Sequence, residues 1–248
     1  MPDLVYGQHL VAFFDILGFS NIVSAAMTDG EAQERIEHFD AALKFCREHY
    51  GKPWSWESGE FSVKMFSDCI CVSVPADIAN VDAFFSILTY LQAIYSLNDI
   101  ALRGGMTVGR HYANEQMIFS EALVEAYKLE QATKQPRIVV SDKLRAFIMD
   151  DLSTDERRVA ASFFERAYVE KDPEDDRLFL DYLNFMPAAN DNGEMLRGHR
   201  AWIIKNLAEQ SDDRIRAKYI WLREYHNRWC NKYEAQWREL SELLIPIE

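Results

Sequence analysis

The 248-residue sequence predicts an α+β fold, with helices packed on a mainly antiparallel sheet and a helical extension at the C-terminal end. Three observations predict it. Strand-like and helix-like stretches alternate as β-α-α-β-β-α-β-α-β up to about residue 141. Two apolar stretches, residues 11–20 (VAFFDILGFS) and 61–74 (FSVKMFSDCICVSV), each carry a single acid at a turn, Asp15 and Asp68. Residues 195–244 space Trp202, Ile203, Leu207, Ile215, Tyr219, Leu222, Tyr225 and Trp229 as helices do.

Residues 9–14 read as the first strand, turning at Gly18. Residues 25–50 read as one or two helices, with Ile36, Phe39, Leu43 and Cys46 on one face and a break at MTDGEAQ. After the turn-rich GKPWSWESGE, residues 61–74 split into two strands meeting at Ser67-Asp68, a hairpin with the acid at its tip. A helix from Pro75-Ala-Asp to about Tyr95 follows, then a strand over 100–110 whose glycines 104, 105 and 109 permit close backbone approach. Ser120 is placed to cap a helix over 121–133, Pro136 ends it, and RIVV (137–140) is strand, followed by a short helix. Residues 163–169 and 177–183 look strand-like between charged loops, and the helical C-terminal part covers the sheet or forms a dimer contact. The division expected is 1–150 for a catalytic domain and 151–248 for a strand and helix extension.

A net charge of −13 argues against a broad face for nucleic-acid polymers, which are held by clustered Lys and Arg. No apolar run approaches the ~20 residues of a membrane span. The start MPDLVYGQ lacks the basic and apolar regions of a signal peptide, so a cytoplasmic location is expected. Cys46, Cys69, Cys71 and Cys230 form no disulfide framework, and no zinc-ligand spacing accompanies them.

Two buried strands that each deliver one carboxylate to a rim suit a two-metal phosphoryl-transfer site. FFDILGFS resembles the first metal-binding stretch of class III nucleotidyl cyclases, F-x-D-[IL]-x-G-F-[TS]. KMFSDC resembles their K-x-x-G-D, with Ser67 in the glycine position, and LRGGMTVG resembles their L-R-x-G-x-x-x-G strand. MIFSEALVEAYKLEQA followed by RIVVS resembles their next helix and strand. The likeness runs over about residues 8–141 and implies a class III cyclase-like sandwich.

That resemblance implies two divalent ions per site, Mg²⁺ or Mn²⁺, held by Asp15, Asp68 and the carbonyl of Ile16. It implies phosphate binding at Gly18, Phe19 and Ser20. The family's transition-state arginine falls on Lys128, a catalytic candidate, and its asparagine on Val124. Lys64 matches the lysine that reads adenine, whereas the partner acid of that lysine falls on Met117. A narrower resemblance, to the uridylate and cytidylate cyclases of Pycsar antiphage defence, rests on FFDILGFS, EAYKLE, PRIVV and KYIWLREYHN. It implies a UTP or CTP substrate, UTP favoured, a cyclic UMP or CMP signal and a separate effector protein that senses it. A pyrimidine leaves space in a purine-sized pocket, which Tyr50 or Trp54 would fill. A homodimer with composite sites is expected, one copy giving the aspartates and the other the helix with Lys128. Adenylate or guanylate cyclase activity, and an inactive nucleotide-binding scaffold, are the alternatives. Arg103 is expected in an ion pair, His111 on the surface, and Glu125 and Glu130 on the helix surface or across a dimer.

Overall fold

The computed structural model describes residues 6–30, 32–50, 61–150, 152–185, 193–235 and 240–247. The strands are β1 (Gly7–Ile16), β2 (Ser62–Phe66), β3 (Cys69–Pro75), β4 (Leu102–Ala113), β5 (Ile118–Ser120), β6 (Ile138–Val140), β7 (Val169–Lys171) and β8 (Leu178–Leu180). The helices are α1 (Phe19–Asp29), α2 (Ala32–Tyr50), α3 (Val81–Leu97), α4 (Glu121–Ala132), α5 (Asp142–Met149), α6 (Asp155–Phe163), α7 (Glu194–Glu209) and α8 (Asp213–Tyr233). This is the expected α+β arrangement, with every strand pairing antiparallel except β4 with β6.

The sheet runs β2-β3-β1-β4-β6-β8-β7, with β5 on β4, so β7 and β8 from beyond residue 150 complete it. Side chains alternate across a strand, and β1 shows both faces. Leu10, Ala12, Phe14 and Ile16 enter the main core with α2, α3 and α5, while Val11, Phe13 and Asp15 face α4. α3 with its preceding turn is apolar enough by composition to cross a membrane, yet 67% of that window is buried inside the fold. The glycine expectation holds at Gly105, where a Cβ would stand 2.7 Å from the carbonyl oxygen of Ala126. α4 thus lies directly on β4. Its start is capped by Ser120, whose Oγ accepts from the Leu123 amide at 2.8 Å.

Two strand expectations are corrected. Most of 163–169 is helical: α6 runs into a π-helical turn, Phe164–Tyr168, before the short β7. Residues four apart share a helix side, and Phe164 and Tyr168 both pack on Phe85, with centroids 5.5 and 5.3 Å away. Within 177–183 only Leu178–Leu180 is strand, and Tyr182–Asn184 is a helical turn whose Asn184 side chain donates to the Ala167 carbonyl. The first helix also starts earlier than residue 25, at Phe19.

α7 and α8 bring a second core of Phe179, Tyr182, Leu196, Trp202, Trp221, Tyr225 and Trp229, with Leu97 and Ala101 against it. The register relates α8 to the site's face: Phe13 pairs with Gly105, Gly105 with Val139 and Val139 with Phe179, so these residues share one face. Gly105 meets α4 there, and Phe179 meets Trp221 and Tyr225 of α8 at 5.3 Å.

Candidate active site

The rim of that face is built from two strand ends. Asp15 stands one residue before the end of β1, and Asp68 stands at the tip of the β2–β3 hairpin beside Ser67, whose φ is +56°. The Ile16 amide donates to the Asp68 carbonyl at 2.8 Å, which ties the strand end to the hairpin tip. One carboxylate oxygen from each aspartate and Sγ of Cys69 lie within 4.8 Å of one another.

The electrostatics suit a cation. Burial pushes the Asp15 carboxyl above its ordinary pKa, Arg103 opposes the shift, and the carboxylates of Asp68 and Glu130 add to it. Asp68 is held below the ordinary range, first by its own backbone N–H and then by neighbours including Ser67. Burial and the nearby Asp68 push the Cys69 thiol up to about 12, so it stays protonated and donates to Asp68 Oδ1 at 3.5 Å. Two close carboxylates resist ionising together, and a divalent ion relieves that repulsion. The donor set therefore fits a hard divalent cation, whose preferred ligands are oxygens.

Gly18, with φ +76°, turns the chain into α1, and no side chain caps the amides that follow. Phe19 packs on Phe39 at 6.3 Å while Ser20 is exposed; the amides of Asn21 and Ile22 donate to the Gly18 carbonyl, and no hydrogen bond among the described residues takes those of Phe19 and Ser20, as an anion at the helix start needs. Arg103 lies opposite Asp15 in the β1–β4 register, with Nη2 3.4 Å from Asp15 Oδ2, and makes an ion pair with Glu130. Arg103 thus makes the ion pair expected of it.

Lys64, on β2, faces the same side as Asp15 through the β2–β3–β1 register. Its Nζ donates to the Asn114 carbonyl, and Asn114 Oδ1 accepts from the amides of Gln116 (2.9 Å) and Met117 (2.8 Å). Lys64 and Met117 therefore meet at one corner. Tyr50 is the last residue of α2, its side chain lies outside what is described, and Trp54 lies outside the described residues. Val124, Tyr127 and Lys128 form the exposed side of α4, and no hydrogen bond or ion pair among the described residues joins Lys128 to the aspartates.

Two surface expectations, for Glu130 and His111, are corrected. Glu130 is only 1% exposed and is drawn inward by Arg103. Glu125 stays partly exposed on α4, where it accepts from the Thr107 hydroxyl at 2.9 Å and sits 3.7 Å from Lys143 of its own chain. His111 is buried under the start of α4, its Nδ1 2.7 Å from Ser120 Oγ, and burial lowers its pKa to about 4. One further residue belongs to the site's surroundings. Asn114, which accepts from Lys64, has a sequence signal, since Asn is a turn former at a strand end.

No protein-family model matches the sequence. No curated protein matches it either. Among solved structures, it is similar to the adenylyl cyclase CyaB from P. aeruginosa, at TM-score 0.43 and 16% identity over 58% of this chain and 81% of that one. It is also similar to the monomeric guanylyl cyclase domain of the RhoGC fusion protein from the aquatic fungus Blastocladiella emersonii, at TM-score 0.45 and 15% identity over 71% and 95%. An adenylate/guanylate cyclase/hydrolase from Silicibacter pomeroyi matches at TM-score 0.43 and 14% identity over 69% and 93%.

Proposed function

We propose that the chain is a nucleotidyl cyclase that converts a nucleoside triphosphate to its 3′,5′-cyclic monophosphate and pyrophosphate. The observation that carries this reading is the meeting of Asp15 and Asp68 at one rim, beside the uncapped start of α1. Two divalent ions bound there would lower the pKa of the ribose 3′-hydroxyl and neutralise the triphosphate. Asp15, Asp68 and the Ile16 carbonyl hold them. The amides at Gly18, Phe19 and Ser20 take the β- and γ-phosphates. The 3′-oxygen, losing its proton to solvent, bonds to the α-phosphorus, and the bond to the β-phosphate oxygen breaks.

In the same reading residues 1–150 carry the chemistry, residues 151–248 support it, and the enzyme works as a head-to-tail homodimer. The exposed Val124 and Tyr127 support a second copy here, because they leave apolar side chains on the same exposed side of α4 as Lys128. Lys128 then neutralises charge at the partner's α-phosphate. The base sits at the corner of Lys64 and Met117, with Tyr50 narrowing it for a pyrimidine. Support for UTP or CTP is the set of segments EAYKLE, PRIVV and KYIWLREYHN; the product serves as a defence signal read by a separate effector.

Incubation with ATP, GTP, CTP and UTP, each with Mn²⁺, tests the reading, with Asp68→Ala as control. A cyclic pyrimidine product that disappears in the control supports it in full. A cyclic purine keeps the cyclase and overturns the base assignment. Absence of any cyclic product from the dimer overturns the activity.

A further inference from the structure

Cys69 is fixed at the rim by the sheet itself. It opens β3 and pairs with Asp15 of β1 on one side and with Phe66 of β2 on the other. Directly paired residues of antiparallel strands send their side chains to the same face, as close neighbours. The Cys69 thiol and the Asp15 carboxylate therefore stand side by side, and Asp68 joins them from the hairpin tip. Cys71, two residues further along β3, shares that face but packs with Val11 and Ala122 and is buried. Of the four cysteines, Cys69 alone is not buried. The rim thus holds two carboxylates and one accessible sulfur.

Sulfur changes which ions such a set can take. Thiolate ligands favour thiophilic ions such as Zn²⁺, whereas Mg²⁺ takes oxygen. Bonds of about 2.3 Å to sulfur and about 2.1 Å to oxygen, at the tetrahedral angle, place two ligands of one zinc ion about 3.6 Å apart. Cys69 Sγ and Asp68 Oδ1 already lie 3.5 Å apart. The S–H···O contact of the metal-free rim thus has the spacing of a zinc chelate. An Asp15 oxygen supplies the third ligand atom, the three lying within 4.8 Å of one another. All three residues are half-buried, so solvent can reach a fourth position.

We propose that the rim is also a binding site for a thiophilic divalent ion of the Zn²⁺ type, held by Cys69 Sγ, Asp15 and Asp68 with water as the fourth ligand. The ion replaces the proton on Sγ, the proton passes to solvent, and no electron is transferred. Drawing both carboxylates onto one centre, it competes with the ions that the cyclase reading places there. The proposal shares Asp15 and Asp68 with that reading but does not depend on the reaction. Toward an oxygen-loving ion Cys69 keeps its hydrogen bond to Asp68 instead, so one side chain separates the two kinds of ion.

The first probe is Co²⁺, added to the reduced full chain, because cobalt bound to sulfur shows a near-ultraviolet charge-transfer band. The result expected is a band that saturates at one ion per chain, is bleached by Zn²⁺ and is absent in Cys69→Ser. Cys230→Ala, which removes the thiol beside His226, should keep it. Serine retains a donor for Asp68. In calorimetry Cys69→Ser should therefore weaken Zn²⁺ binding by about 100-fold or more and Mn²⁺ binding by less than about threefold. Cobalt bound by wild type without the sulfur band overturns the proposal. So does unchanged Zn²⁺ affinity in Cys69→Ser, or an equal loss for Zn²⁺ and Mn²⁺. Asp68→Asn, altered at the hairpin tip, gives a second line: it should weaken the cobalt complex, and an unaffected complex would place the ion elsewhere and sink the site. A sulfur band in a chain that makes no cyclic product keeps this site and ends the cyclase reading alone. Cyclic product from a chain without the band does the reverse.

Discussion

The rim at Asp15 and the interior of the C-terminal helices both gather titratable groups, yet their hydrogen-bonding capacity is filled differently. In the helical part, Tyr182 Oη lies 2.7 Å from His199 Nε2, His199 Nδ1 3.0 Å from His226 Nδ1, and His226 Nε2 3.1 Å from the Leu243 carbonyl. A carbonyl only accepts, so His226 Nε2 carries a proton, its Nδ1 accepts from His199, and His199 Nε2 accepts from Tyr182. Each ring is neutral with one tautomer, and every ring nitrogen has a partner. At the rim, two carboxylates face each other with Arg103 shared between Asp15 and Glu130. Burial with complete pairing marks a structural cluster. Like charges left close together mark a place waiting for a ligand.

The largest expected effect breaks that comparison at the rim. Asp68→Ala should lower turnover by about a thousandfold or more, because it removes a shared metal ligand. Its melting temperature should stay near that of wild type, since the side chain lies at a half-exposed hairpin tip. A product assay and a thermal melt on the same preparation decide it; activity retained, or a collapsed fold, would remove the distinction between the two clusters.

At the other cluster the effect should appear in stability. Trp221→Ala leaves a cavity and strips Asp172 of one hydrogen bond, for a loss of about 3–5 kcal/mol in denaturant unfolding. A loss below about 1 kcal/mol would mean that the second core does not hold α8 in place.

The rim was legible in the sequence because its chemistry is local: Asp15 and Asp68 each sit in an apolar strand that ends at a turn, and strand alternation carries both to one edge. The order of elements up to β6 was legible for the same reason. Residues 163–169 were not, since Phe164 and Tyr168 are set by Phe85 on α3, a contact 79 or more positions away in the chain that no local period encodes. The sequence points His111 and Glu130 to the surface because polar side chains usually lie there. Their burial depends on Ser120 and Arg103, whose positions only the β4 register reveals.

The pH dependence sharpens the contrast within the helical cluster. Burial holds His226 at about 4, below the ordinary 6.5, and His199 well below it. Histidines that charge more easily in the unfolded chain give stability that is lost as pH falls from 6.5 toward 4. Asp181 has the opposite sign. Burial, with Glu170 adding, raises it to about 7 although Tyr225 donates to it at 2.7 Å, so its contribution is lost as pH rises from about 4 to 7. The two slopes oppose each other over the same range. Asp181→Asn removes one of them: the variant should gain stability at pH 7, on the order of 2 kcal/mol, and lose it more steeply on acidification. Unfolding curves between pH 4 and 7.5 read both effects, and parallel profiles for variant and wild type would contradict the assignment.

The smallest effect lies at the rim's own backbone. Ser67 adopts φ +56°, a left-handed conformation that costs a residue with a Cβ about 1 kcal/mol and glycine almost nothing. Glycine also loses more freedom on folding, so Ser67→Gly should stabilise the chain by only about 0.5 kcal/mol, or about 1–2 °C in melting temperature. Ser67 also hydrogen-bonds Asp68 and helps hold that carboxyl ionised. The same substitution should therefore weaken Mn²⁺ binding slightly while it strengthens the fold. Opposite signs in calorimetry and in the melt would show that serine here trades backbone ease for a better metal ligand; the same sign in both would leave its strained backbone without a function.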